Sequence, residues 1–252
     1  MIATVAAVLL IVIVMAQLRQ AIRPRPAVEL SVTPAAAPAV VPPVPPAGGP
    51  VVAALRRHRW LRLALSGLSV ALLAGAVGVL GYPAYTNFYQ DRKQAQLEQQ
   101  LASPELKQAY QQGTVGEGDG LTRIKIPKIG LDMVVVQGTT SSALRAGAGH
   151  YPETPLPCQP GNVGIAGHRT TYGRPFHHLD KMAVGDEIIL ETPVGSCTYH
   201  VARAPFVVAP TDITVVGPTD VPTLTLTTCH PKGSARQRLI VQATLVSAPT
   251  QA

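Results

Sequence analysis

The chain has 252 residues, room for one or two domains, with 46% hydrophobic residues, only 4% aromatics and 24 prolines. Its formal net charge of +7 is unevenly placed: residues 1–90 carry seven arginines and one acid, Glu29, while the remainder holds fourteen Lys and Arg against thirteen Asp and Glu. The strand-rich half is thus nearly neutral, which argues against a nucleic-acid-binding face. Basic residues flanking apolar runs are instead the pattern that orients membrane helices.

Taken in chain order, the first apolar run is Ile2–Ala16, followed by Arg19, Arg23 and Arg25, the reverse of a secretory signal peptide. Residues 1–17 admit two readings, a first membrane span with its N-terminus outside or an artefact of a misplaced start. Residues 18–60 form a Pro- and Ala-rich basic linker, expected to be cytoplasmic, extended and without chemistry of its own. Residues 61–86 contain the strongest membrane signal, the uncharged run Leu63–Tyr85. A helix rises about 1.5 Å per residue, so about 20 residues cross the hydrocarbon core. Arg56, Arg57, Arg59 and Arg62 precede the run, which sets its N-terminal side in the cytoplasm and everything beyond it outside. Residues 87–120, Gln-rich and polar, are expected to form a helical stalk that separates the membrane from the domain beyond.

From residue 121 to 248 the pattern changes to short runs rich in Val, Ile and Thr, bounded by Gly, Pro or Asp. Strands are expected at Thr122–Pro127, Asp132–Gln137, Gly161–Ala166, Glu187–Glu191, Thr198–Val208, Thr223–Thr228 and Leu239–Val246. Short helical stretches fall near Ser141–Arg145 and Phe176–Met182. Seven or eight strands in this length predict a mainly β domain, a closed barrel or a sandwich.

The segment TLTLTTCHPKGSARQRLIVQATLV, Thr223–Val246, carries the chemistry. Thr and Leu alternate, so Cys229 continues the face of Thr223, Thr225 and Thr227 and lies off the Leu face. Arg238 opens the next strand, and an antiparallel pairing would return it beside Cys229. A cation near a thiol favours the reactive thiolate, and a histidine is needed to move a proton to a leaving amine. His230 adjoins Cys229 but should point to the opposite face. His168, which ends the strand-like GNVGIAG, is the better candidate. Each residue also has a plainer explanation: a buried thiol, a solvated charge, a turn histidine.

Thr225–Cys229, read TLTTC, resembles the TLxTC signature of sortases. Arg238-Leu239-Ile240-Val241 is similar to their arginine segment, and Gly167-His168-Arg169 to the motif carrying their histidine. The resemblance spans about Leu121 to Val246. AGHRTTYG, the CHP after the nucleophile and GHYPETPLP look most like class E, common as housekeeping enzymes in high-GC Gram-positive bacteria. It implies a closed sortase-type β-barrel of about eight strands with short helices, preceded by a membrane helix and a stalk. It also implies a cysteine transpeptidase with His168, Cys229 and Arg238 catalytic, and with Tyr172 and Thr228 beside the substrate.

The partners so implied are secreted proteins carrying an LAxTG- or LPxTG-like signal, an amine acceptor on lipid II or peptidoglycan, and the plasma membrane. The catalytic domain would be extracytoplasmic, with no cofactor and no metal. Cys158 and Cys197 match no zinc spacing and either form a disulfide or stay free. His150, His177 and His178 are most simply turn or surface residues. The competing functions are another extracytoplasmic cysteine hydrolase or peptidoglycan transpeptidase, which would not require Arg238, and an inactive wall-binding membrane protein.

Overall fold

The computed structural model describes residues 58–247. The possible first span at 1–17 and almost all of the Pro-rich linker at 18–60 lie outside them. The described chain begins with a single long helix, α1 (Arg59–Leu101). Its first half presents Leu63, Leu72 and Leu80 outward, and its most apolar stretch has a mean hydropathy of 2.2 with none of it buried. Apolar all round and uncovered among the described residues, this stretch belongs to a helix long and greasy enough to cross a bilayer.

The second half of α1 does not stand clear of the domain. Leu97 packs with Val134, Val136, Ala143 and Ala146 in a small second core. The Gln94 amide donates to the carbonyls of Val134 (3.0 Å) and Ala146 (2.9 Å) and accepts from the Val134 N–H (2.7 Å). One turn and a half further on, Gln100 donates to Asp119 (2.7 Å) and accepts from the Gly120 N–H (2.9 Å). Two of the glutamines that read as stalk composition, Gln94 and Gln100, are therefore docking groups, each bond contributing about 1 kcal/mol. A second helix, α2 (Pro104–Gln112), is bounded as its sequence dictates. The Ser103 hydroxyl caps the Leu106 N–H, Pro104 occupies the first turn, and Gly113 ends the helix with a left-handed φ of 67°.

The domain is a barrel built from β1 (Gly120–Ile126), β2 (Leu131–Gln137), β3 (Gly149–His150), β4 (Asn162–Ala166), β5 (Glu187–Thr192), β6 (Gly195–Val201), β8 (Thr223–His230) and β9 (Gln237–Ser247). These eight strands follow one another as β6–β5–β1–β2–β3–β4–β8–β9, and β6 pairs with β9 to close the ring. A ninth strand, β7 (Phe206–Val208), pairs with β9 at Arg238–Ile240, ahead of the residues that β6 pairs with. The helix α3 (Ser141–Ala146), capped by Thr140, lies between β2 and β3.

Burial explains the patterning. Ile124, Val135, Ile165, Leu190, Leu224, Leu226 and Val241 point into the barrel and form one core. β2 is apolar on both faces because Met133 and Val135 enter that core while Val134 and Val136 face α1 and α3. The run expected as one strand, Thr198–Val208, breaks at Ala202–Pro205. Proline cannot donate to a ladder, and beyond the break the chain has left β5 and pairs with an earlier stretch of β9 alone. β3, only two residues long, was not expected. Its His150 is fully buried, with Nδ1 2.8 Å from the Gln137 amide oxygen and Nε2 2.9 Å from the Pro155 carbonyl. His150 is thus an interior residue rather than a turn or surface one, and burial lowers its pKa.

Cys158 and Cys197 form a disulfide, with Cα atoms 5.7 Å apart, that pins the segment after β3 to β6. It closes a loop of 39 residues, for which chain entropy predicts a contribution of about 3–4 kcal/mol. The Cys158→Ala/Cys197→Ala chain should lose stability of that order in denaturant titrations. Intact-mass alkylation of the unreduced protein should find one free thiol, Cys229; three would sink the bridge.

Candidate active site

The site forms where three strand ends meet. β8 lies between β4, to which it is parallel, and β9, to which it is antiparallel. On one side Cys229 is the direct register partner of Arg238. On the other, Ala166 pairs with Thr227, and the ladder continues as the Gly167 N–H donates to the Thr227 carbonyl at 3.0 Å. His168, the next residue, leaves β4 level with Cys229. Neighbouring strands lie about 5 Å apart, so His168 and Arg238 stand along the chain on opposite sides of Cys229.

The strand alternation has a physical basis on both faces. Leu224 and Leu226 fill the barrel core. The Thr face is covered from outside, and its hydroxyls are satisfied there: Thr225 donates to Asn162 (2.7 Å), and Thr227 lies 3.0 Å from the Tyr151 hydroxyl. Beyond that cover Cys229 is half-buried and is the free cysteine. Thr228 falls on the Leu face, is 2% exposed, and donates its hydroxyl to the Gly167 carbonyl at 2.7 Å. Alternation turns residue 228 inward, and its bond ties the histidine-bearing segment to the cysteine-bearing strand.

His168 is half-buried, and its pKa is lowered first by burial and then by the Arg145 guanidinium, so the ring is favoured neutral. Arg238 is also half-buried. One of its terminal nitrogens donates to the carbonyls of Ala235 (3.0 Å) and Gln237 (3.1 Å), which fixes the guanidinium without neutralising it. Among the described residues no carboxylate pairs with it. Tyr172 lies with its ring 5.5 Å from that of His168. A free thiol, an imidazole whose neutral form is favoured and a guanidinium without a carboxylate partner, on adjoining strand ends, are the residue types that nucleophilic attack on a carbonyl, proton transfer and anion stabilisation require.

A family profile described as Sortase domain matches residues 124–246. Over 63% of its length the chain superimposes on 99% of a Clostridium perfringens Sortase D5 transpeptidase, at 31% identity and a TM-score of 0.55. The chain belongs to the sortase family. Sortase SrtE1 of Streptomyces coelicolor is 32% identical over 149 residues, 53% of this chain and 42% of that protein. Sortase D of Bacillus subtilis is 31% identical over 129 residues, 50% of this chain and 63% of that protein. This chain therefore spans about half the length of the curated relatives it matches. The kinship takes in class E enzymes, in keeping with the AGHRTTYG and CHP segments.

This sortase also holds a residue that sequence reasoning passed over, although it stands in the quoted Gly167-His168-Arg169. Arg169 is 4% exposed and donates from one nitrogen to the Cys229 carbonyl (3.2 Å) and to His230 Nδ1 (2.9 Å). Its other terminal nitrogen pairs with Asp180 at 3.1 Å, and Lys232 lies 3.5 Å from the same carboxylate. A guanidinium only donates, so His230 Nδ1 accepts and its proton sits on Nε2. His230 is thereby held in a structural bond on the side away from the thiol's partners. His177, the other histidine here, donates from Nδ1 to the Arg169 carbonyl at 2.8 Å. A basic residue after a histidine carries no sign of burial in the sequence, which is why Arg169 was not singled out.

Proposed function

We propose that this sortase is membrane-anchored through α1, with its barrel outside the cell. It cleaves an LAxTG- or LPxTG-like sorting signal between Thr and Gly and transfers the upstream protein to a cell-wall amine. The observation that carries this is the register around β8, with Cys229 opposite Arg238 and level with His168.

The Cys229 thiol passes its proton to the neutral His168 imidazole as the sulfur attacks the carbonyl carbon of the Thr–Gly bond, and the carbonyl oxygen gathers negative charge. Arg238, its guanidinium fixed by two main-chain carbonyls, stabilises that charge. The C–N bond breaks as His168 delivers a proton to the departing glycine nitrogen, leaving a thioester on Cys229. An acceptor amine on lipid II or peptidoglycan then attacks the thioester carbon. His168 removes a proton from it, and the sulfur departs. The imidazole can resume the proton-accepting role because its environment favours the neutral form. Tyr172, beside the histidine, lines the place where the residue after the leading Leu would lie and favours Ala there.

The test is a fluorogenic LAxTG peptide run beside an LPxTG one on the full chain in detergent, with an amine acceptor and product masses recorded. Cleavage after Thr with transfer to the amine, faster for LAxTG, is expected. Faster LPxTG cleavage would remove the Ala preference alone. Cleavage of neither, with the protein folded and Cys229 free, would overturn the sortase reaction.

A further inference from the structure

The loop after His168 adopts a backbone that it cannot hold by itself. Tyr172, Gly173 and Arg174 have φ of 47°, 68° and 52°, three successive residues in the left-handed region, two of them not glycine. Such a run persists only where neighbours hold it, and the neighbour is α1. The Gly173 N–H donates to the Asn87 side-chain oxygen at 3.2 Å. Gly173 fits so closely that a Cβ there would collide with the amide of Gln90, itself only 7% exposed. The ring of Tyr89 meets that of Tyr172 edge-on, centroids 6.4 Å apart, and Tyr172 continues to His168 at 5.5 Å. All three helix residues lie within one turn or so of the end of the apolar run.

Resting on the transpeptidase assignment above, we propose that the polar half of α1 is a wall of the active site. Asn87, Tyr89 and Gln90 act as positioning residues that hold Tyr172, and through it the imidazole of His168. The anchor helix then sets the catalytic rate as well as the location of the enzyme. None of the three touches the reacting atoms. Their effect arises because small displacements of a proton-transfer group slow the step it serves. The same contacts keep water from the ring, in line with the burial that lowers the His168 pKa.

The experiment is a double-mutant cycle on the full chain in detergent, using whichever sorting peptide the unaltered enzyme cleaves. Tyr89→Ala and Asn87→Ala are each expected to lower kcat about three- to tenfold, with KM within about twofold and the melting temperature little changed. Added to Tyr172→Ala, Tyr89→Ala should cause no further loss, because both act through one contact. Wild-type kcat in both helix variants, or losses that multiply in the double variant, would overturn the proposal.

An NMR titration of the His168 imidazole, assigned with His168→Gln, supplies a readout independent of peptide turnover. Its pKa should rise toward the ordinary histidine value in Tyr89→Ala and Asn87→Ala. An unmoved titration curve would overturn the proposal. If the unaltered protein cleaved neither peptide while the titration still shifted, the transpeptidase assignment would fail and the positioning would stand.

Discussion

Cys229→Ala is expected to lower peptide-cleavage kcat/KM by on the order of 10⁴-fold or more, and His168→Ala to bring it to about the same floor. Without the sulfur no thioester forms, and the reaction loses the route that divides one difficult step into two. Without the imidazole, the glycine nitrogen must depart without a proton donor. The two residues act as a unit, so the double variant should be no slower than either single one. Intact-mass detection of the acyl-enzyme after a rapid acid quench checks the assignment directly. The adduct should appear on wild type and be absent from Cys229→Ala. Turnover within tenfold of wild type in a folded Cys229→Ala protein would remove this cysteine from the mechanism.

Arg238→Ala should cost about 10²–10³-fold in kcat/KM, the loss typical of removing one donor to a developing oxyanion. Arg238→Lys should recover only a small part of it. The guanidinium is held by the Ala235 and Gln237 carbonyls, an arrangement that leaves other N–H groups of its planar fork free. An ammonium offers a point charge on a flexible stem and cannot keep that geometry. Arg238 is half-buried, and no ion pair to it exists among the described residues, so the melting temperature should move little. Steady-state kinetics with a stability check decides the matter. An alanine variant within tenfold of wild type would make Arg238 a solvated charge and would favour a cysteine hydrolase that has no use for it.

Both predictions rest on a pairing partly readable in the sequence. Cys229 and Arg238 are joined by one short connection, and antiparallel strands linked in that way meet in a register that alternation specifies. The strict Thr–Leu alternation likewise separated Cys229 from the core side. The residues that alternation put inward, Leu224 and Leu226, are indeed fully buried. His168 is marked in the sequence by the strand-like segment before it and by its motif. Its position level with Cys229 depends on the parallel pairing of β4 with β8, separated by about sixty residues of chain. Nothing local encodes such a pairing, because the strands between must first find their own neighbours.

The sequence by itself determined the elements whose signal is periodic and local. These are the apolar helix, most strands and the Cys229–Arg238 hairpin. Only the tertiary structure decided which strands close the ring and that Cys158 meets Cys197. Burial of Arg169 against the Cys229 carbonyl and the docking of the glutamine-rich half of α1 were decided there too. The first two depend on long-range encounters that no local signal encodes, and the last two share a further reason. A polar side chain reads as solvated until the fold brings a carbonyl or an N–H to it in a dry place. Gln94 and Arg169 meet such partners across long stretches of chain.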